Sequence, residues 1–271
     1  MAWTQFWIFV LLKIFTSNCQ NLIQRRINGG NAPSPISVKY LVSLQTPKGQ
    51  HFCGGSLVHR YWVLTAAHCN MRMDQMMIVA GDNILGKYEG MEQYSKPHLT
   101  IPHPLYNKST NNADIMLIKL RAPIKLNNYV SLALLPKQNT AMLPGQLCQV
   151  SGWGSTSQPT LETLGLPIIS TAKCNSSESL DGKITANMIC ARYRTGSRDA
   201  CKVDPGGPLV CNGRLYGLVS WGQQMSCEDA TFPGVYTSVA RFRRWIDRTI
   251  YRSFIRCYKY RRPFKFTSRY V

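Results

Sequence analysis

The chain has 271 residues, with 32 Lys and Arg against 13 Asp and Glu, a formal net charge of +19, and ten cysteines. An apolar content of 44% sits at the globular average and excludes a disordered or fibrous protein, and the length suits one large domain or two small ones. Ten cysteines belong to an oxidising compartment, so the chain reads as secreted or cell-surface and globular.

The chain opens MAWTQFWIFVLLKIFTSNCQ. The apolar run Phe6 to Leu12 continues at Ile14 and Phe15 and is too short to span a bilayer. Ser17 and Cys19 follow at the spacing of a signal-peptidase site, so residues 1–19 read as a signal peptide. Lys13 interrupts the run and no early Lys or Arg precedes it, which keeps a buried amphipathic helix as the alternative. Nothing polar alternates there with a helical period, however.

From residue 40, β-branched and aromatic runs alternate with Gly, Pro and Asn. Examples are YLVSLQ (40–45), YWVLTAA (61–67), IMLIKL (115–120), LCQVSGW (147–153) and LYGLVSW (215–221). This spacing predicts an all-β sandwich or barrel. Two Asn-x-Ser sequons, at Asn107 and Asn175, are N-glycosylation acceptors suited to surface loops of an exported chain.

No helical pattern precedes residue 240. From Arg241 to Arg256, Phe242, Ile246, Ile250 and Phe254 recur every four positions with Trp245 beside them. The spacing predicts an amphipathic helix whose other faces are arginine. Pro263 ends any continuation. Residues 241–271 carry eleven Lys and Arg and one acid, Asp247, whereas residues 27–240 carry 18 basic and 12 acidic groups. Basic and aromatic residues interleaved without carboxylates at 251–271 suit a sulfated glycan or an anionic membrane surface, or else form a solvated tail. Nucleic acid is the partner least suited to an exported protein.

Four patterns then occur in one order: RRINGG at 25–30, LTAAHC at 64–69, ADIMLIKL at 113–120 and DACKVDPGGPLVC at 199–211. With CGGSL, SGWG, VSWG and PGVYT in register, residues 27 to about 250 resemble the trypsin-like (chymotrypsin-fold) serine peptidases. The resemblance implies two six-stranded antiparallel β-barrels, divided near residue 130, and a C-terminal helix. It implies a short propeptide at 20–26 before a peptidase domain at 27–250, with 251–271 left as a tail. Eight cysteines alone allow about 105 pairings. The resemblance selects Cys53–Cys69, Cys148–Cys211, Cys174–Cys190 and Cys201–Cys227. Cys19 leaves with the signal, and Cys257 then pairs between chains, unless the two bridge each other.

The family cuts peptides with a serine nucleophile, a histidine base and a buried aspartate. His68 and Asp114 match the last two. The nucleophile position holds Pro205, in Val203-Asp204-Pro205-Gly206-Gly207-Pro208. Proline offers no hydroxyl to acylate and no N–H for the oxyanion hole. The second oxyanion donor falls at Val203, where the family places glycine and a β-branched residue resists the required conformation. Losing a nucleophile costs on the order of 10⁶ in turnover and one oxyanion donor about 10²–10³. The retained His68–Asp114 pair is then structural.

Asp199, Gly222 and Gly234 match the floor and walls of a trypsin-like pocket for an Arg or Lys side chain, unless Asp199 is a solvated acid beside Arg198. Lys202 and the GQQMS segment before Cys227 weaken such binding. Cleavage after Arg26 would free the Ile27 amine to pair with Asp204; an uncut chain stays zymogen-like. Asp82, Glu89 and Glu92 match a calcium loop, although Asp82 is one methylene shorter than the family's usual glutamate, and a solvated loop is the alternative. The chain therefore reads as a secreted, inactive serine protease homologue that binds protease inhibitors or protease substrates, with a polyanion-binding basic tail. The rival reading is an active endopeptidase specific for Arg or Lys.

Overall fold

The computed structural model describes residues 38–154, 160–192, 203–222 and 233–260, with side chains of the terminal helix up to Arg252. The expected signal peptide and propeptide, Arg26, Ile27, Asp199, Cys201, Lys202, Cys227 and the side chain of Cys257 lie outside the described residues.

The runs expected to be strands are strands, because their alternating side chains find a buried surface on each side. β1 (Leu41–Gln45), β2 (His51–His59), β3 (Trp62–Thr65), β4 (Met77–Ala80), β5 (Gln93–Ser95), β6 (Pro97–Pro102) and β7 (Met116–Leu120) make an antiparallel sheet in the order β5-β4-β1-β2-β3-β7-β6. β8 (Leu147–Gly152), β9 (Glu162–Ile169), β10 (Met188–Ala191), β11 (Pro208–Cys211), β12 (Arg214–Trp221) and β13 (Gly234–Ser238) close into a six-stranded barrel. Residues 121–146 connect the two halves.

The first half departs from the expected closed six-stranded barrel. It is a curled seven-stranded sheet whose edge strands, β5 and β6, are consecutive in the chain with only Lys96 between them. Pro97 supplies no N–H at that point, so one bent strand becomes two and the edges meet through the chain.

The near-continuous apolar runs reflect burial on both sheet faces. Val63, Met116 and Ile118 point into a core with Val42, Leu44 and Ile78. Their neighbours Leu64, Ile115 and Leu117 point the other way, into a seam with Leu215 and Leu218 of β12. Apolar patterning on both sides follows whenever a sheet is covered twice.

Phe242 and Ile246 also enter that seam, with Trp245 and Ile250 packed against it. They belong to the terminal helix, Val239–Tyr260. This helix starts at Val239, two residues before the expected Arg241, and runs four residues past the expected Arg256, so residues 251–260, assigned to the tail, belong to it. The other α-helix among the described residues is a single turn, α1 (Thr171–Cys174), with the Ser170 hydroxyl accepting from the Lys173 N–H; the terminal helix is α2. None of the helices among the described residues is long and apolar enough to cross a membrane. Three expected disulfides are present: Cys53–Cys69, Cys148–Cys211 and Cys174–Cys190.

Candidate functional site

His68 sits in a 3-10 turn, Ala67–Cys69, directly after β3. The Cys53–Cys69 disulfide ties this turn to β2. Asp114 lies just before β7 and is fully buried. Its carboxylate accepts from the His68 backbone N–H at 2.9 Å, contacts His68 Nδ1 at 2.7 Å and accepts from the Ser220 hydroxyl at 2.6 Å. The Asp114 carbonyl accepts from the Thr237 hydroxyl at 2.9 Å. A carboxylate against Nδ1 assigns the proton to that nitrogen, leaving Nε2 of the neutral ring as an acceptor. His68 is itself exposed. Ser220 and Thr237 belong to β12 and β13, so this node joins the two halves of the molecule.

Pro205 stands in a tight turn. The Gly207 N–H donates to the Asp204 carbonyl at 2.9 Å, and Gly206 has φ +74°. An i to i+3 bond with proline at the second position and positive φ at the third is the pattern of a type II turn. Proline's fixed φ suits that second position, so Pro205 fits the loop. The turn presses on β2 and β3: the Gly54 N–H donates to the Pro205 carbonyl at 2.8 Å. A Cβ on Gly206 would fall 2.2 Å from the Thr65 hydroxyl, three residues before His68. The turn thus packs against the end of β3 that leads to His68, and position 205 carries neither O–H nor N–H.

Val203 is buried at 7% exposure in a cluster with Leu209, Val219 and Tyr236. It is absent from the residues with positive φ, as a β-branched side chain requires. Ser220 and Ser151 are committed elsewhere: the first donates to Asp114, and the second shares a hydrogen bond with the Thr163 hydroxyl at 2.8 Å.

Asp204 is 2% exposed. Its carboxylate accepts from the Trp153 and Gly154 N–H groups at 2.8 and 2.9 Å. Gly152 makes room for it, since a Cβ there would lie 2.6 Å from Asp204 Oδ2. His51 Nε2 lies 3.3 Å from Oδ1, without hydrogen-bond alignment. The sequence reading gave Asp204 the Ile27 amine as partner and missed His51. Only its place two residues before CGGSL could have signalled it. A polar chain continues from His51 Nδ1 to the Ser43 hydroxyl (2.8 Å), then Gln45 Nε2 (3.0 Å), then Asp82 Oδ2 (3.2 Å).

Asp82, Glu89 and Glu92 converge as the calcium reading expects, each offering an oxygen within 4.8 Å of the others. Glu89 accepts from the Asn83 and Ile84 N–H groups at 3.1 and 3.0 Å, and Glu92 from the Glu89 N–H. Asp82 Oδ1 and Glu92 Oε2 are buried without a hydrogen-bond partner. Burial, reinforced by Glu92 and Glu89, pushes the Asp82 carboxyl up to about 6. Two buried bare oxygens, on Asp82 and Glu92, among three crowded carboxylates fit a hard cation.

Of the pocket residues, Gly222 and Gly234 come together. Gly222 has φ +128°, and a Cβ there would lie 2.9 Å from the Pro233 carbonyl and 3.3 Å from Gly234 Cα. The sequons differ. Asn107 is exposed, and its Oδ1 accepts from the Ser109 N–H (2.9 Å), the Ser109 hydroxyl (2.6 Å) and the Thr110 N–H (3.2 Å). Asn175 is half-buried behind α1, its Oδ1 held by the Ile184 N–H at 2.8 Å.

The sequence profile described as Trypsin matches residues 27–246. Among curated relatives, the chain is 44% identical to Trypsin-3 of Salmo salar over 231 residues, 83% of this chain and 93% of that one. It is 42% identical to Trypsin of Xenopus laevis over 248 residues (89% and 98%). To Trypsin of Sus scrofa it is 42% identical over 231 residues (83% and 96%). A profile covering most of the chain, relatives above 40% identity and a buried aspartate that holds a histidine at the seam of two β-halves agree: the chain belongs to the trypsin-like serine peptidase family.

Proposed function

We propose that this chain is a catalytically silent member of its family that acts by binding. The observation that carries the reading is Pro205 at the second position of the turn beside the His68–Asp114 pair. Peptide cleavage by this route needs an oxygen nucleophile whose proton passes to the histidine. His68 is held for that transfer, and position 205 has no proton to give. Val203, packed into the apolar cluster, supports the loss of the second oxyanion donor.

The binding partners we assign are protein chains, protease inhibitors or protease substrates, offering an Arg or Lys side chain to the cleft walled by Gly222 and Gly234, with Asp199 as its floor. Residues 241–271 add a polyanion-binding element for a sulfated glycan or an anionic membrane surface. The chain is secreted, with residues 1–19 as signal peptide, and is processed after Arg26, so that the Ile27 amine competes with His51 for Asp204. Its N-glycan sits on Asn107, where the sequon is exposed, in preference to Asn175. Asp82, Glu89 and Glu92 hold Ca²⁺ as oxygen ligands, which removes the repulsion among their charges and stiffens the loop.

The rival reading, an endopeptidase cutting after Arg or Lys, draws on the intact His68–Asp114–Ser220 geometry. A fluorophosphonate probe and an Arg-containing chromogenic peptide, applied to the folded chain cleaved after Arg26, separate the two. Neither labelling nor turnover is expected. Labelling, or turnover abolished by His68→Ala, overturns the silent reading.

A further inference from the structure

We infer that the polyanion seat is a row of arginines on α2, formed by Arg241, Arg244, Arg248 and Arg252, and that its occupant is a sulfated glycan chain. This rests on the polyanion reading above and narrows it to one face and one ligand. The four side chains are exposed and follow one another at steps of three and four residues, which places them along one side of the helix. At 1.5 Å per residue the row is about 16 Å long.

The opposite side of the helix is occupied. Phe242 and Ile246 are buried at 6% and 0% exposure in the seam between the β-halves, with Trp245 and Ile250 packed beside them. The row therefore faces away from the protein. No acid of the helix is hydrogen-bonded to it: Asp247, the only carboxylate of the helix, accepts twice from Arg243 Nε at 2.9 Å, on the flank. Arg243 also donates to the Pro136 carbonyl at 2.8 Å and stays outside the row. Arg241 gives only its Nε, to the Ala186 carbonyl at 3.0 Å.

The choice between glycan and bilayer follows from the same packing. Interfacial helices hold to membranes by inserting an apolar face while the charged face meets headgroups. Here the apolar face up to Ile250 is committed to the protein. What remains is a linear array of guanidinium groups, each able to take two oxygens of a sulfate group. A linear polymer with regularly placed sulfates matches such an array.

Heparin-affinity chromatography and salt-titrated binding of the full chain test the inference. The variant R244Q/R248Q/R252Q spares Arg241, which anchors the first turn, and an unchanged melting temperature establishes its fold. It is expected to bind heparin at least about tenfold more weakly at 0.15 M salt. The slope of log affinity against log salt should fall by roughly two to three, on a scale of about 0.7–0.9 per charge. The triple Arg→Lys variant keeps the charges and so the salt slope, but binds more weakly than the parent, because lysine cannot fork onto two sulfate oxygens. A chain retained neither on heparin nor on phosphatidylserine-containing vesicles removes the polyanion reading itself. A retained chain whose triple Gln variant elutes at the same salt leaves that reading standing and overturns the seat. Arginine-dependent binding to phosphatidylserine-containing vesicles, without heparin retention, overturns the glycan.

Discussion

At position 205 chemistry and conformation separate. The turn is as well suited to proline as to serine, so Pro205→Ser is expected to cost only about 0.4–1 kcal/mol, through greater freedom of the unfolded chain. Thermal melting checks that value. The same substitution is expected to recover little hydrolysis of an Arg-containing peptide, because Val203 keeps its backbone away from a glycine-type conformation. Adding Val203→Gly recovers substantially more, and equal recovery by the single variant refutes the oxyanion argument. Asp82 gives a second residue-level prediction. Its carboxyl is raised to about 6, so the ionised form is disfavoured in the fold. The stability it contributes is complete below pH about 4, its ordinary range, and is lost as pH rises through about 6. In chelator at pH 7, Asp82→Asn is expected to melt higher than the parent chain, and added Ca²⁺ to raise the parent more than the variant.

The terminal helix shows how one element is held. His103 packs edge-on against Phe242 and Trp245 at ring distances of 4.7 and 5.0 Å. Its Nδ1 accepts from the Leu105 N–H at 3.2 Å. Burial lowers the pKa of His103 below the ordinary value of 6.5, so the fold favours the neutral ring. The stability tied to neutral His103 is complete above that value and is lost as pH falls through the lowered one. Acidification from pH 7 to 5 should loosen α2 before the barrels unfold, raising hydrogen exchange across residues 239–250. His103→Phe should remove this acid sensitivity, and an unchanged pH profile in the variant would count against it.

Across the whole molecule, Asp114 is the point where the halves meet. Its groups take two hydrogen bonds from the His68 turn and two from β12 and β13. Apart from any catalytic duty, this side chain satisfies the Ser220 hydroxyl and the His68 turn. Asp114→Ala is expected to destabilise by about 2–4 kcal/mol, since the Ser220 hydroxyl and the His68 N–H groups lose their acceptor. His68→Ala, at an exposed residue, costs less. Denaturant unfolding of the two variants tests this, and equal losses would show that the node is not structural.

The β-class, the strand runs and the amphipathic helix were legible in the amino-acid order, because side-chain period is a property of neighbours in the chain, whereas the roles expected of His68, Asp114 and position 205 came with the family resemblance. The pairing of cysteines came only with the family resemblance. The partners of Asp204, the convergence of Asp82, Glu89 and Glu92, and the split of β5 from β6 were decided by the tertiary structure. His51 and Asp204 stand more than 150 positions apart, and no local pattern encodes a contact made by closing two sheets on one seam. The outward direction of the arginine row was likewise settled by packing: an apolar stripe shows that one face will be buried, and only the seam shows against what.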